Sequence, residues 1–352
     1  MSTQLPSIVD VAKRAGVSVA TASRVMSSST YPVSAAAREK VIIAAQELDY
    51  VPNSLARSLK VQRSKLIAVL VGDNADPYFA QVTHGIEEVA NANGYLTIIC
   101  NTERDPAREL MYLRTLQDYR VDGIIFASSS FETSNTAEIV STIVSNIQRR
   151  GAAIVSLSST DLQAASIQPD NPGGAYALTR HLIELGHRRI AFITGPEHLR
   201  VAEQRKQGYQ QALTEAGMEL RPDYLLPGDF TQAQGEAAAS LLGQFPISER
   251  PSAVFASNDE TAFGLMSGLR QLGWRIPDDI SICGFGDIPM AKMVTPGLTT
   301  VHIPLHELGQ AGANKILALL NHEVQASDVE IQPITIVKRG SSSVVSMDTM
   351  SP

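Results

Sequence analysis

The stretch IVDVAKRAGVSVATASRVM, residues 8–26, reads as two short helices joined at Ala15-Gly16-Val17. Ser7 stands before it with Asp10 three residues on, a helix start with an acid in the first turn. Gly16 suits a turn that needs a positive φ. Ser18 can cap the second helix, Val19 to Met26. Ala12, Val17, Ala22 and Val25 then form a small shared core. That leaves Ser18, Val19, Ala20, Thr21, Ser23 and Arg24 exposed along the start of the second helix. In a helix-turn-helix this is the part that reads base edges in the major groove. Short side chains let the helix sit deep, and Arg24 can reach a guanine or a phosphate. A small helical hairpin with no nucleic-acid role is the other reading these residues leave open.

The flanking sequence extends a small helical head. After the loop SSSTYP, Ser34 can cap a third helix running through AAAREKVIIAAQELDY, in which Val41, Ala44, Ala45 and Leu48 recur at spacings of three and four. Pro52 ends it. PNSLARSLK, residues 52–60, then has the length of about two helical turns, too short to be stable alone in water. It carries Arg57 and Lys60 and an apolar side of Leu55, Ala56 and Leu59. Residues 1–65 hold nine Lys and Arg against four Asp and Glu, a charge of +5 within a chain of −7. A basic head on an acidic body indicates a polyanion partner for the head alone.

From Leu66 the texture changes. LIAVLV, YLTIIC, GIIFA, AAIVSL, RIAFIT, SAVFA and ISICGF are short, β-rich apolar runs. Helical stretches fall between them at 79–93, 106–118, 135–150, 173–185, 201–216, 231–244 and 259–272. Strand–helix alternation with continuously apolar strands indicates a parallel sheet covered on both faces. The length exceeds one such sheet, so the expected body is two doubly wound lobes facing across a cleft, with ligand held outside the strands' carboxyl ends. At 352 residues, 44% hydrophobic and 18% charged, the composition is that of a soluble globular protein. No apolar run is long enough for a membrane span, and MSTQLPSIVDVAKRAG lacks the apolar core of a signal peptide. Cys100 and Cys283 read as buried free thiols of a reducing cytoplasm.

Catalytic motifs are wanting. There is no G-x-S-x-G elbow and no phosphate-binding G-x-x-x-x-G-K loop. Gly284-Phe285-Gly286-Asp287 approaches a dinucleotide fingerprint, but Pro289 occupies the third glycine's place. His181, His187 and Arg188 read as surface charges at a helix end, with Gly186 as the residue past it. His302 and His306 are too isolated from further Cys or His partners to make a metal site. The expectation is a chain that is not an enzyme and uses no cofactor and no metal.

DVAKRAGVSVATASRV, VS..AREKV and LDYVPNSLARSLK together resemble the lac repressor (LacI/GalR) family of bacterial transcription regulators. The resemblance continues through DPYFAQVTHGIEEVANANGY, NTERDPARE, RVDGIIFA, DNPGGAYALTRHLIELGHRRIAFITGP, SNDETAFGLMSGLRQLGWRIPDDISICGFGDIPMA and PGLTTVHIP, from residue 7 to about 340. It implies a small all-α helix-turn-helix head, 1–51, and a hinge helix and linker, 52–64. The α/β body, 65–340, would have two doubly wound parallel-sheet lobes like a periplasmic sugar-binding protein. The first lobe would be 65–162 plus 290–322, the second 163–289 plus 323–340, with a disordered tail at 341–352.

The resemblance also implies residue roles. Val19 and Ala20 fall at the family's base-discriminating pair, with Arg24 a further contact and Thr21 and Ser23 on phosphates. Ser27, the segment SSSTYPVS and Ala35 depart from the family's usual residues in this region. In the hinge helix Leu59 falls at the leucine wedge of the minor groove, Ala56 and Lys60 at neighbouring contacts, Arg57 near phosphates and Asn53 at the cap. In the body Asp76, Tyr78, Phe79, Arg205, Phe230 and Asn258 match effector-binding positions. Read alone, Phe79 and Phe230 suit a core, Asn258 and Asp259 a helix cap, and Arg205 a solvated surface. Gly286 replaces an aspartate that accepts ligand hydroxyls in the family, which points to a bulkier or anionic effector such as a sugar acid or phosphorylated sugar.

The implied protein is a cytoplasmic, nucleoid-associated repressor of sugar metabolism. Its homodimer would bind a palindromic operator in double-stranded DNA under control of a small-molecule effector, with no membrane partner. The tail has no leucine heptad for tetramer formation. The rivals are a corepressor-dependent regulator taking a purine-like ligand or a protein partner, and a sugar-binding protein that does not bind DNA.

Overall fold

The computed structural model describes residues 6–26, 31–51, 63–128, 136–197, 199–325 and 328–345, which form two compact units, 1–65 and 66–352. In the head, α1 (Ile8–Ala15), α2 (Val19–Met26) and α3 (Ala35–Glu47) pack around Val11, Ala12, Ala22, Val25, Val41 and Ala44. Ser7 and Asp10 cap α1 reciprocally, and Gly16 ends it at φ 65°. Ser34 accepts from the Ala37 amide at the start of α3.

Two six-stranded sheets build the body. The first contains β1 (Leu66–Val71), β2 (Leu96–Asn101), β3 (Gly123–Phe126), β4 (Ala153–Ser156), β5 (Ala165–Pro169) and β11 (Val329–Gln332), ordered β11-β5-β4-β3-β1-β2 and wholly parallel. The second contains β6 (Ile190–Ile193), β7 (Leu225–Leu226), β8 (Ala253–Ala256), β9 (Ser281–Gly286), β10 (Thr299–His302) and β12 (Thr335–Val337), ordered β12-β10-β9-β8-β6-β7, with β12 antiparallel to β10. The connecting helices are α4 (Pro77–Ala92), α5 (Pro106–Tyr119), α6 (Ala137–Arg149), α7 (Asn171–Glu184), α8 (Arg200–Glu215), α9 (Gln232–Gly243), α10 (Asp259–Gln271) and α11 (Leu305–Leu320). The head-plus-two-lobe class expected from the sequence is what forms, and the seven apolar runs are β1–β4, β6, β8 and β9.

The chain passes between the lobes three times: from β5 into α7, from β10 into α11, and from β11 into β12. The lobe limits expected from sequence therefore need correction. Segment 163–169 belongs to the first lobe because Val155 pairs with Ala165 and carries β5 into that sheet. β11 follows it, with Val329 opposite Ser166. Conversely β10 lies in the second sheet, with Thr299 opposite Cys283. The expected disordered tail is also corrected in part. Ser341 is fully buried, its amide donating to Gly297 O (3.0 Å) and its hydroxyl to Ile282 O (2.6 Å), and the Val345 amide reaches Leu185 O (3.0 Å). Residues 346–352 lie outside the described ones.

His181 and His187 are likewise buried rather than surface charges. His187 sits between Ser252 Oγ (2.9 Å) and Ser343 O (3.0 Å), and burial lowers its pKa. Both cysteines are free and buried, and burial pushes the Cys100 thiol up to about 11 and Cys283 to about 12. Among the described residues no helix is long and apolar enough to cross a membrane.

In the first lobe α4 and α11 approach through glycines. A Cβ on Gly85 would lie 2.0 Å from His306 O, and one on Gly309 would lie 2.1 Å from Val82 O. Backbone cannot move aside as a flexible side chain can, so the two helices would have to separate. Gly85→Ala is expected to lower the stability of the body by about 1–3 kcal/mol, read as a lower urea midpoint. An unchanged midpoint would show that the crossing is looser than described.

Candidate functional site

Between the lobes lies a cavity of about 80 Å³ at the carboxyl ends of both sheets. Sequence logic places ligand there, because each strand end delivers a loop and then the start of a helix. The first lobe contributes Asp76, Tyr78, Phe79, Arg104, Glu109 and Ser158. Asp76 caps α4 by accepting from the Tyr78 amide (2.9 Å) and also pairs with Arg104 (3.3 Å). Burial raises its pKa against the pull of Arg104. The Tyr78 ring meets Phe79 edge-on at 5.2 Å, and burial pushes its phenol up to about 12.

The second lobe presents Arg205, a buried cation 5% exposed. Its Nε donates to Asn171 Oδ1 (3.0 Å) and its Nη1 to Ser257 O (2.5 Å). Its guanidinium lies 3.9 Å from the centre of the Phe285 ring. Burial lowers its pKa to about 10, so it remains charged near neutrality. The solvated alternative for Arg205 is thus wrong, because α8 turns this position inward onto α7.

Phe230 adopts a left-handed backbone, φ 71°, which non-glycine residues rarely do. The Asn258 amide holds it by donating to Phe230 O (3.0 Å). Gly195 makes room for its ring: a Cβ there would lie 2.4 Å from Phe230 Cε1. Asn258 is also the cap of α10, accepting from the Thr261 amide (3.0 Å), so its cap and cleft readings both hold geometrically. Arg104 crosses from the first lobe to within 5.7 Å of the Phe230 ring centre.

Six of the seven effector positions expected from sequence therefore line one cavity. Gly286 does not. A Cβ on it would face Asp259 Oδ2 at 3.5 Å, toward buried protein. Sequence reasoning missed Arg104, Glu109, Asn171 and Phe285 as lining residues, and treated Asp259 only as a cap partner. Arg104 was open to the same strand-end logic that found Asp76, since it follows β2. Asn171 follows β5, a strand the apolar runs did not reveal.

In the head, Ser18, Val19, Ala20 and Arg24 are exposed on α2, while Thr21 and Ser23 are half-buried. Ser18 Oγ accepts from the Thr21 amide (3.1 Å), so it does cap α2. The Arg24 guanidinium rests 4.4 Å from the Tyr31 ring centre. Asn53, Ala56, Arg57, Leu59 and Lys60 lie outside the described residues, as does Ser27.

A family model described as bacterial regulatory proteins, lacI family, matches residues 7–53. Another, described as periplasmic binding protein-like domain, matches residues 179–342. Over 342 residues the chain is 32% identical to the HTH-type transcriptional repressor PurR of Photobacterium profundum, covering 95% of this chain and 98% of that protein. The chain belongs to the lacI family of bacterial regulatory proteins.

Other members agree with this. The repressor of the same name from Haemophilus influenzae (strain PittEE) is 34% identical over 97% of this chain and 100% of its own length. Among solved structures, the lac repressor dimer bound to operator and the anti-inducer ONPF matches with TM-score 0.81 and 26% identity, over 97% of this chain and 100% of that one. A complex of the transcriptional regulator CelR with cellobiose matches with TM-score 0.69 and 29% identity, over 96% and 100%. This member of the family is accordingly a DNA-binding transcriptional regulator with a ligand-binding body.

Asp259 gives the cavity a measurable pH signature. It is 1% exposed, accepts from Thr300 Oγ1 (2.5 Å) and the Ile288 amide (2.9 Å), and burial raises its pKa to about 6. A carboxyl whose folded pKa exceeds its unfolded value loses stability as pH rises between the two. Relative to Asp259→Asn, the wild type is expected to lose about 2 kcal/mol between pH 4 and pH 7, read from urea unfolding of both proteins. A difference independent of pH would contradict a protonated Asp259.

Proposed function

We propose that the chain is a repressor that binds a palindromic operator as a homodimer, with its operator affinity set by a sugar or related metabolite held between the lobes. The observation that carries this is the cavity itself. Its lining comes from both lobes, and Arg205 ties it to Asn171, where the chain first crosses between them. A ligand that binds one lobe arrangement more tightly shifts the population toward it, and that differential affinity is the coupling to DNA. The names of the relatives support the repressor reading: PurR is named a repressor, and the lac repressor structure is a dimer on operator. Cellobiose and ribose in the names of similar structures support a sugar-sized effector.

In this reading residues 1–51 are the DNA reader, 52–64 the hinge helix and linker, and the remainder the sensor. Val19 and Ala20 discriminate bases, Arg24 adds a contact, Thr21 and Ser23 serve phosphates, and Ser18 stands on the same DNA-facing surface. Asn53 caps the hinge helix, Leu59 wedges into the minor groove, Ala56 and Lys60 flank it, and Arg57 meets a phosphate. Asp76, Tyr78, Phe79, Arg205, Phe230 and Asn258 hold the effector. The protein works in the cytoplasm on the nucleoid.

The test is a mobility-shift assay on palindromic sites near the protein's own gene, with sugars, sugar acids, amino sugars and purines added in turn. A specific shift that one compound weakens marks an inducer, and one that it strengthens marks a corepressor. Failure to bind any such site would contradict the regulator reading. Leu59→Ala is expected to weaken operator binding by a few kcal/mol, the scale of unstacking a base step, while ligand binding is kept. Equal operator affinity in that variant would exclude the wedge role.

A further inference from the structure

Seven charged side chains line the cavity: Arg104, Arg205, Asp76, Asp105, Glu109, Asp259 and Glu260. Six of them have partners. Arg104 pairs with Asp76 and with Asp73 (3.7 Å), and Arg205 donates to Asn171 and Ser257. Asp105 accepts from the Ala107 amide (2.8 Å), Glu260 from Gln232 Nε2 (2.6 Å), and Asp259 from Thr300 and Ile288.

Glu109 differs. It lies in the first turn of α5, half-buried, and its carboxyl makes no hydrogen bond or ion pair with any described residue. Burial alone pushes that carboxyl up to about 7. It also lines a second chamber of about 110 Å³ in the first lobe, and Ser128 and Ser158 belong to both linings. Glu109 therefore stands where the two spaces meet.

We propose that the effector is a polyhydroxylated amine, an amino sugar in chemical class, whose ammonium group is received by Glu109. The proposal rests on the effector reading above and narrows it. A half-buried carboxylate with no protein partner is partly stripped of water, and a ligand cation offsets that cost by supplying the missing charge and donors. The ligand's hydroxyls can accept from Arg205 across the cavity. An anionic effector fits poorly. It would enter a lining of five carboxyl groups and two guanidinium groups, with Arg104 already flanked by two carboxylates. This reverses the preference for a sugar acid that Gly286 suggests from sequence. It also agrees with the position of Gly286, which is not part of the lining.

The test is isothermal titration of the full chain at pH 7 with glucosamine, galactosamine and mannosamine, each beside its parent hexose, its N-acetyl derivative and the matching uronate. One free hexosamine is expected to bind at least ten times tighter than its three counterparts. Glu109→Gln is expected to weaken that binding at least ten-fold while melting no lower than the wild type. Tightest binding of a uronate or an N-acetyl sugar overturns the proposal, as does hexosamine affinity unchanged in Glu109→Gln, or no hexosamine binding at all. In each of those cases, another compound that shifts operator affinity would leave the effector reading standing.

Discussion

The cleft depends on one buried cation. Arg205 is nearly enclosed, and among the described residues no carboxylate stands within ion-pairing distance of it. A charge taken out of water without a counter-ion must be stabilised by directed acceptors and aromatic faces. Those groups come from three places: Asn171 at the first crossover, the Ser257 carbonyl after β8, and the Phe285 ring at the end of β9. Asn171 in turn donates to Pro169 O (3.2 Å), the last residue of β5. One side chain thus spans the ligand space and the point where one lobe becomes the other. Anything that alters the Arg205 environment alters the local energetics of that crossover.

Close backbone packing makes such a contact informative. α4 and α11 meet with no room for a Cβ at Gly85 or Gly309, so these two helices pack backbone against backbone. Packed interfaces of this kind switch between discrete arrangements rather than deforming continuously. The three crossovers are then the places left to absorb a change in lobe orientation. Phe230, held in a left-handed conformation and approached by Arg104 from the other lobe, shows backbone strain at the same cavity. Strain of this kind persists only where its surroundings fix it, and it clusters at ligand sites.

Much of the fold was legible in the sequence. Buried parallel strands are continuously apolar, so seven of them stood out. The strands that escaped had weaker patterns: β7 has two residues, β10 reads TTVH, and β11 is an exposed edge reading VEIQ. Those omissions account for the misplaced lobe limits, because β5, β10 and β11 are the strands on which the chain changes lobes. The docked segment 341–345 was hidden because Ser341 and Ser343 are held by hydrogen bonds, which composition does not reveal. Within the cavity, resemblance located residues at strand ends, while the partners that give them meaning depended on three-dimensional proximity. Arg205 reads as a surface residue on a polar helix until Asn171 and Phe285 are seen beside it. Glu109 reads as an ordinary first-turn acid until its lack of a partner is seen.

The proposed function puts operator affinity under the control of a ligand that Arg205 helps to hold. Its most direct test is operator affinity by fluorescence anisotropy, for wild type and Arg205→Ala, with and without a compound that binds the wild type. The compound is expected to change wild-type operator affinity by about 1–3 kcal/mol, or 5- to 150-fold, and to leave the affinity of folded Arg205→Ala unchanged. An equal change in both proteins would contradict it.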